Sequence, residues 1–161
     1  MTTSYSITAK QNMRERTIFV SSERVNEEHV ALLIHRLRSE DFHVMHSPRN
    51  PLDGKDPRWA DWYNWDDLDA SRLEIEIGQA DMFIVGVTAG WDSSTWMMME
   101  LSAAVKRREC GELHELLYYT PIMDTPTIPM ARRYLTDRLP DDVDAALEAV
   151  QSRFAKIDFM L

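Results

Sequence analysis

Cysteine is almost missing from this sequence. Cys110 stands alone among 161 residues, which excludes an intrachain disulfide and any cysteine-based metal cluster, and fits a reducing compartment. Long apolar runs are missing too, so no bilayer span is expected. The opening stretch MTTSYSITAKQNMRER has no apolar core of signal-peptide length. Residues 1–15 are therefore expected to be a polar leader without fixed structure, on a cytoplasmic chain with no membrane partner. Positive charge is in the minority, with 18 Lys and Arg against 27 Asp and Glu and a formal net charge of −9. Such a surface repels nucleic-acid phosphates at long range, and no nucleic-acid partner is expected. Glycine is sparse: Gly54, Gly78, Gly86, Gly90 and Gly111 are the full set, and none sits in a Gly-x-Gly-x-x-Gly or P-loop pattern. A dinucleotide dehydrogenase of the usual kind and a nucleoside triphosphatase are thereby disfavoured. The five histidines are scattered, and the close pair His43 and His46 would point to opposite faces of a strand. No metal site is expected. No serine carries the glycine pattern of a nucleophile elbow.

What is present is an alternation of strand and helix signals. RTIFVSS, FHVMHS, DMFIVGVTAG and HELLYYTPIM read as short buried strands, the last one ended by Pro121. Between and after them, NEEHVALLIHRLRSE sets Val30, Leu33, Ile34 and Leu37 at helical spacing behind a candidate Asn26 cap. Residues 58–80 read as a helix ending near Gly78, with Leu73, Ile77 and Ala80 on one face and Trp59, Trp62 and Trp65 at every third position. Residues 93–108 read as a helix capped by Ser93 or Ser94, with Lys106, Arg107 and Arg108 at its end. IPMARRYLTDRL reads as a short helical piece, and PDDVDAALEAVQSRFAKIDF as a last helix with Pro140 at its start. Three prolines and a glycine make PRNPLDGKDP a loop. At 44% hydrophobic residues, residues 16–161 suffice for one domain. The expected fold is α/β, a flavodoxin-like three-layer α/β/α sandwich around a mostly parallel sheet of about five strands. Ligands of such sheets bind at the carboxyl ends of the strands, which singles out the loops around Ser21 to Arg24, around Ser47 to Pro57, around Thr88 to Ser94, and around Thr120 to Thr127.

The stretch DSSTWMMMEL places Glu100 directly after three methionines. On a helix it lies one turn beyond Trp96 and one turn before Ala103 and Ala104, and the flanks carry Met97, Met98, Met99, Leu101 and Val105. The first turns are expected to be apolar nearly all round and buried. Glu100 is then tied to a buried Arg or to backbone donors, or faces a cleft, or lies exposed at the helix edge. Its helix starts at the carboxyl end of the clearest strand, which favours the cleft.

DMFIVGVTAGWDSSTWMMMELSAAV resembles the third strand and following helix of Toll/interleukin-1 receptor (TIR) domains, whose hallmark Ser-x-Trp-x-x-x-Glu-Leu is matched by Ser94, Trp96, Glu100 and Leu101. TIFVSS is similar to the first TIR strand, with Ser22-Glu23-Arg24 where that family usually has an aromatic after the first serine. The resemblance implies cleavage of the nicotinamide–ribose bond of NAD to ADP-ribose or a cyclised product, as in bacterial and plant members, in a defence or signalling setting. It implies Glu100 as the catalytic carboxylate, with Ser21, Ser22, Arg49, Ser93, Ser94 and Trp96 as substrate-binding residues, and Arg49 or Arg58 meeting phosphates. NAD is then a substrate, and no metal or other cofactor is expected, because nicotinamide leaves as a neutral molecule. A carboxylate suits the task by stabilising an oxocarbenium-like ribosyl group. The resemblance also implies a nucleotide as small-molecule partner and completion of the site by self-association or a partner protein.

The same helix is similar, more distantly, to nucleoside 2-deoxyribosyltransferases, which place a nucleophilic glutamate in Asp-x-Gly-x-x-x-Glu-Leu-Gly-x-Ala. Here Ser94, Trp96 and Ser102 replace the Asp and the two glycines, so the TIR resemblance is the better one. A non-enzymatic TIR-like assembly module is the third reading.

Overall fold

RTIFVSS supplies the first strand, β1 (Thr17–Ser21), every residue of which is buried. The structure is a computed structural model that describes residues 16–22, 27–46, 75–88, 95–121 and 133–160. Helix α1 (Glu28–Ser39) follows and buries Val30, Leu33, Ile34 and Leu37, the stripe its spacing dictates. Its N-cap is Glu27, not Asn26, and no side chain caps it. Next come β2 (His43–His46), β3 (Met82–Gly86), α2 (Thr95–Glu109), β4 (Glu115–Tyr119) and α3 (Val143–Met160). Residues 75–78 form the described end of the helix expected over 58–80, with Ile77 and Ala80 buried. The tryptophans at 59, 62 and 65 lie outside the described residues, as do residues 1–15 and the proline-rich stretch 48–57. Among the described residues no helix is long and apolar enough to cross a membrane.

The described strands form one sheet in the order β2-β1-β3-β4, and every pairing is parallel. A parallel sheet needs both faces covered, and the alternation along each strand divides the core accordingly. Ile18, Val20, Val44, Met82, Ile84, Leu117 and Tyr119 pack with the apolar stripes of α1 and α3. Phe19, Phe83, Val85, Leu116 and Tyr118 pack with Met97, Leu101, Ala104 and Val105 of α2. The stacked rings of Phe19 and Phe83, 5.5 Å apart, centre this second layer. The result is a flavodoxin-like α/β/α sandwich.

The four described strands are joined at the β4 edge by a single parallel bridge between Tyr118 and Arg138. The helical piece expected over 128–139 is corrected in its last part: 133–134 are helical, but 135–139 are not, with Tyr118 N–H donating to Asp137 O at 2.9 Å and Leu139 N–H to Tyr118 O at 2.7 Å, and residues 128–132 lie outside the described residues. Pro140 bars Leu139, the residue before it, from the helical region. The last helix begins after Asp142, whose carboxylate accepts the Ala145 N–H at 3.0 Å and caps the first turn. Arg153 then clamps α3 to the β4 edge through Glu115 at 2.8 Å and Asp137 at 3.3 Å.

Gly86 ends β3 where α1 comes closest. A Cβ there would sit 3.0 and 3.2 Å from the two methyls of Val30, which is fully buried. Gly86→Ala is therefore expected to cost about 1–3 kcal/mol, the range for overfilling a packed core, and adding Val30→Ala should return part of it. Urea melts check this; a Gly86→Ala chain as stable as the parent would mean that α1 does not press on β3.

Candidate functional site

The order β2-β1-β3-β4 reverses direction between β1 and β3, and this is where ligand crevices open in doubly wound sheets. At that point β1 changes from apolar to polar: Phe19 gives way to Ser21 and Ser22, both fully buried. Ser21 lies in register with Val85 of β3 and faces α2. Beyond the ends of β3 and β4 come two more buried hydroxyl residues, Thr88 and Thr120. His29, from the first turn of α1, is also buried, and its Nε2 lies 2.9 Å from the carbonyl of Val87.

Helix α2 delivers the carboxylate. Its buried residues are Met97, Glu100, Leu101, Ala104 and Val105, so the i, i+3, i+4, i+7 stripe facing the sheet includes a glutamate at its second position. Glu100 has no exposed surface, and its Oε1 accepts the Ser21 hydroxyl proton at 2.7 Å. The Met97 sulfur lies 3.6 Å from the same hydroxyl. The exposed placement of Glu100 at a helix edge is therefore excluded. The expectation that these apolar turns are buried nearly all round is corrected: Met99 is 37% exposed and Met98 only partly buried, because the sheet covers one side of the helix. Met97 and Leu101, with Ala104, are the companions of Glu100 on the stripe.

Of the residues read from the sequence as a site, the structure brings Ser21 and Glu100 into contact and places Ser22 next to them on β1's end. Trp96 belongs to the first turn of α2. Arg49, Arg58, Ser93 and Ser94 lie outside the described residues. His29, Thr88 and Thr120 were not singled out as site residues. Thr88 and Thr120 each directly follow a strand's apolar run, which is a legible signal, whereas His29 on an amphipathic helix gives none. Among the described residues no group of three His, Cys, Asp or Glu is placed to hold a metal ion. A groove of about 230 Å³ lies at the other end of α2, lined by Ala103, Lys106, Arg107, Cys110 and Glu112. Its Arg107 is committed to Gly78 O at 2.7 Å and to Glu112 at 3.2 Å, so the groove is no part of the Glu100 site.

Tyr119, the last residue of β4, lies beside His29, with ring centroids 6.3 Å apart. Its hydroxyl donates to Asp141 O at 3.0 Å. Burial above all, then the carboxylates of Asp141 and Asp142, pushes its phenol above the ordinary value of 10.0.

No protein-family model matches the sequence, and no curated protein matches it. Solved structures of similar outline include the TIR domains of the activated Roq1 resistosome recognizing the pathogen effector XopQ, at 17% identity and a TM-score of 0.49, over 74% of this chain and 68% of that one. A protein described as pilus assembly-related from Burkholderia pseudomallei is similar at 19% identity and a TM-score of 0.46, over 90% of this chain and 92% of that one. A response regulator from Thermotoga maritima is similar at 16% identity and a TM-score of 0.44, over 88% of this chain and 98% of that one. With fewer than one residue in five shared, the chemistry has to come from this chain's own side chains.

Ser21→Ala is expected to destabilise the fold by about 1–3 kcal/mol, because a buried acceptor loses a donor. In a Glu100→Leu background the same change should cost much less; equal costs in both backgrounds, read from denaturant titrations, would show that the pair is not coupled. For Tyr119, a folded-state value raised above the unfolded one stabilises below about pH 10, and that contribution is lost as pH rises through the folded value. Above pH 10 the melting temperature of the parent should fall more steeply than that of Tyr119→Phe, and parallel curves would remove Tyr119 from the balance.

Proposed function

We propose that this chain is a TIR-like enzyme that cleaves the bond between nicotinamide and ribose in NAD, with Glu100 as its catalytic carboxylate. The observation that carries this reading is the Glu100 carboxylate, buried on the sheet-facing stripe of α2 and hydrogen-bonded to Ser21 at the topological switch point. A carboxylate in such surroundings costs free energy that an alanine or leucine would not, and groups of this kind concentrate at functional sites. The Ser-x-Trp-x-x-x-Glu-Leu pattern around it supports the same assignment.

The chemistry asks little beyond what is present. The C1′–N1 bond breaks heterolytically, its electron pair goes to the pyridinium nitrogen, and nicotinamide leaves neutral. Glu100 stabilises the positive charge that develops on the ribosyl group. Water then adds at C1′ and gives up one proton, so that NAD and water yield ADP-ribose, nicotinamide and a proton; attack by the adenine ring instead would give a cyclic product. Ser21 is the positioning residue, since its hydroxyl holds one carboxylate oxygen. Self-association or a partner protein would complete the site, and the setting would be cytoplasmic signalling or defence.

The full burial of Glu100 favours one second reading: a TIR-like assembly module in which Glu100 and Ser21 tie α2 to β1. Nicotinamide release from NAD at high protein concentration separates the two. The enzyme reading expects release that falls by at least about a hundredfold in Glu100→Gln, the scale of a lost electrostatic stabiliser. No release by the parent chain, under conditions where it also assembles, sinks the enzyme reading and leaves the module. Release from a deoxynucleoside but not from NAD would transfer the site to N-ribosyl transfer on nucleosides.

A further inference from the structure

Two buried polar atoms at the carboxyl end of β3 have no hydrogen-bond partner among the described residues: His29 Nδ1 and Thr88 Oγ1. His29 is 9% exposed and Thr88 1%. Both sit beside one peptide unit, because the carbonyl that meets His29 Nε2 at 2.9 Å is that of Val87, which joins Thr88. A carbonyl only accepts, so Nε2 carries a proton, and in the neutral ring Nδ1 is left as an acceptor. The threonine hydroxyl both donates and accepts. Leaving such groups unmet costs free energy, and native proteins carry few of them without a reason.

The packing that creates the pair is specific. The absent side chain of Gly86 lets α1 approach β3 through Val30, and the residue before Val30 is His29. Ser21 pairs with Val85, and Thr88 follows three residues later, just past the end of β3 at Gly86. Glu100 reaches the strand ends from α2 and His29 from α1.

We infer that His29 and Thr88 form a neutral polar subsite at the switch point, which takes a hydroxyl- or amide-bearing part of a nucleoside whose ribosyl bond lies at Glu100. A ligand hydroxyl or amide donates to His29 Nδ1, and its oxygen accepts from Thr88. The subsite rests on the nucleotide reading for the ligand class alone; the unmet atoms belong to the structure. His29 and Thr88 are positioning residues, acting on affinity and not on bond cleavage.

The test uses the full chain with Glu100→Gln, so that NAD is bound without turnover, and isotope-labelled histidine, with the His29 signal identified by its loss in His29→Gln. That variant can keep a donor toward Val87 O while removing Nδ1. On adding NAD, the His29 Nδ1 resonance should move upfield as it accepts a hydrogen bond. Thr88→Val should be at least as stable as the parent, since an unmet hydroxyl is replaced by a methyl of the same shape, yet bind NAD roughly 3- to 10-fold more weakly. In the active chain the same substitution should raise KM with kcat little changed. A His29 resonance that responds to adenosine while the parent releases no nicotinamide supports the subsite and sinks only the NAD reading. A resonance unmoved by NAD and by adenosine overturns the subsite even if NAD is cleaved. Loss of stability in Thr88→Val overturns it too, because the hydroxyl would then have a partner in the free protein.

Discussion

All four described strands run the same way, and from that constraint nearly everything else follows. A parallel sheet has its crossovers on its faces and all its carboxyl ends on one edge. Both faces must therefore be apolar along the strands, and buried polar groups collect at the strand ends, Thr17 and Asp81 at the amino-terminal ends. The core obeys: Phe19, Ile84 and Leu117 are buried mid-strand without a polar atom among them, while Ser21, Ser22, Thr88 and Thr120 take over where the strands end. Among the described residues α1 and α3 cover one face, and α2 with the helix end at 75–78 the other, so the edge is approached from both sides.

Stability and function compete at that edge. Glu100 interrupts an apolar stripe that Leu101 and Ala104 would continue, and a hydrophobic residue in its place would suit the fold better. Its hydrogen bond from Ser21 at 2.7 Å offsets part of the cost. His29 and Thr88 share that edge: the Val87 carbonyl holds His29 through Nε2 at 2.9 Å, while its Nδ1 and the Thr88 hydroxyl are buried without a hydrogen-bond partner among the described residues.

The fold was legible because its signals are periodic. Val30, Leu33, Ile34 and Leu37 announce α1 and are its buried stripe, and the uninterrupted run from Met82 to Val85 announces a strand covered on both faces. Where local chemistry competes with periodicity the reading failed. Arg138 pairs with Tyr118 and Pro140 bars Leu139 from the helical region, although IPMARRYLTDRL has a helix-forming composition. Of the site, Glu100 could be found because a carboxylate after three methionines is out of place, and Ser21 because it ends a strand. His29 could not, for its role depends on how close α1 lies to β3, and a missing Cβ at Gly86 decides that. Arg49, Ser93 and Ser94 lie outside the described residues and remain where the resemblance put them.

Charge makes the last link between fold and site. Several of the described arginines are committed elsewhere: Arg16 to Asp158, Arg36 to Asp144, Arg107 to Glu112 and Arg153 to Glu115 and Asp137. Arg138 reaches the end of β4, where it donates to Thr120 O at 3.1 Å, and it is already paired with Asp141. A chain of net charge −9 with these guanidinium groups already paired offers an anionic ligand little long-range attraction. On the proposed reading, recognition at this edge would fall to short-range groups, the serine and threonine hydroxyls and the imidazole, whose hydrogen bonds count for more where water is excluded. The burial that makes these groups costly to the fold would then make them selective for a ligand.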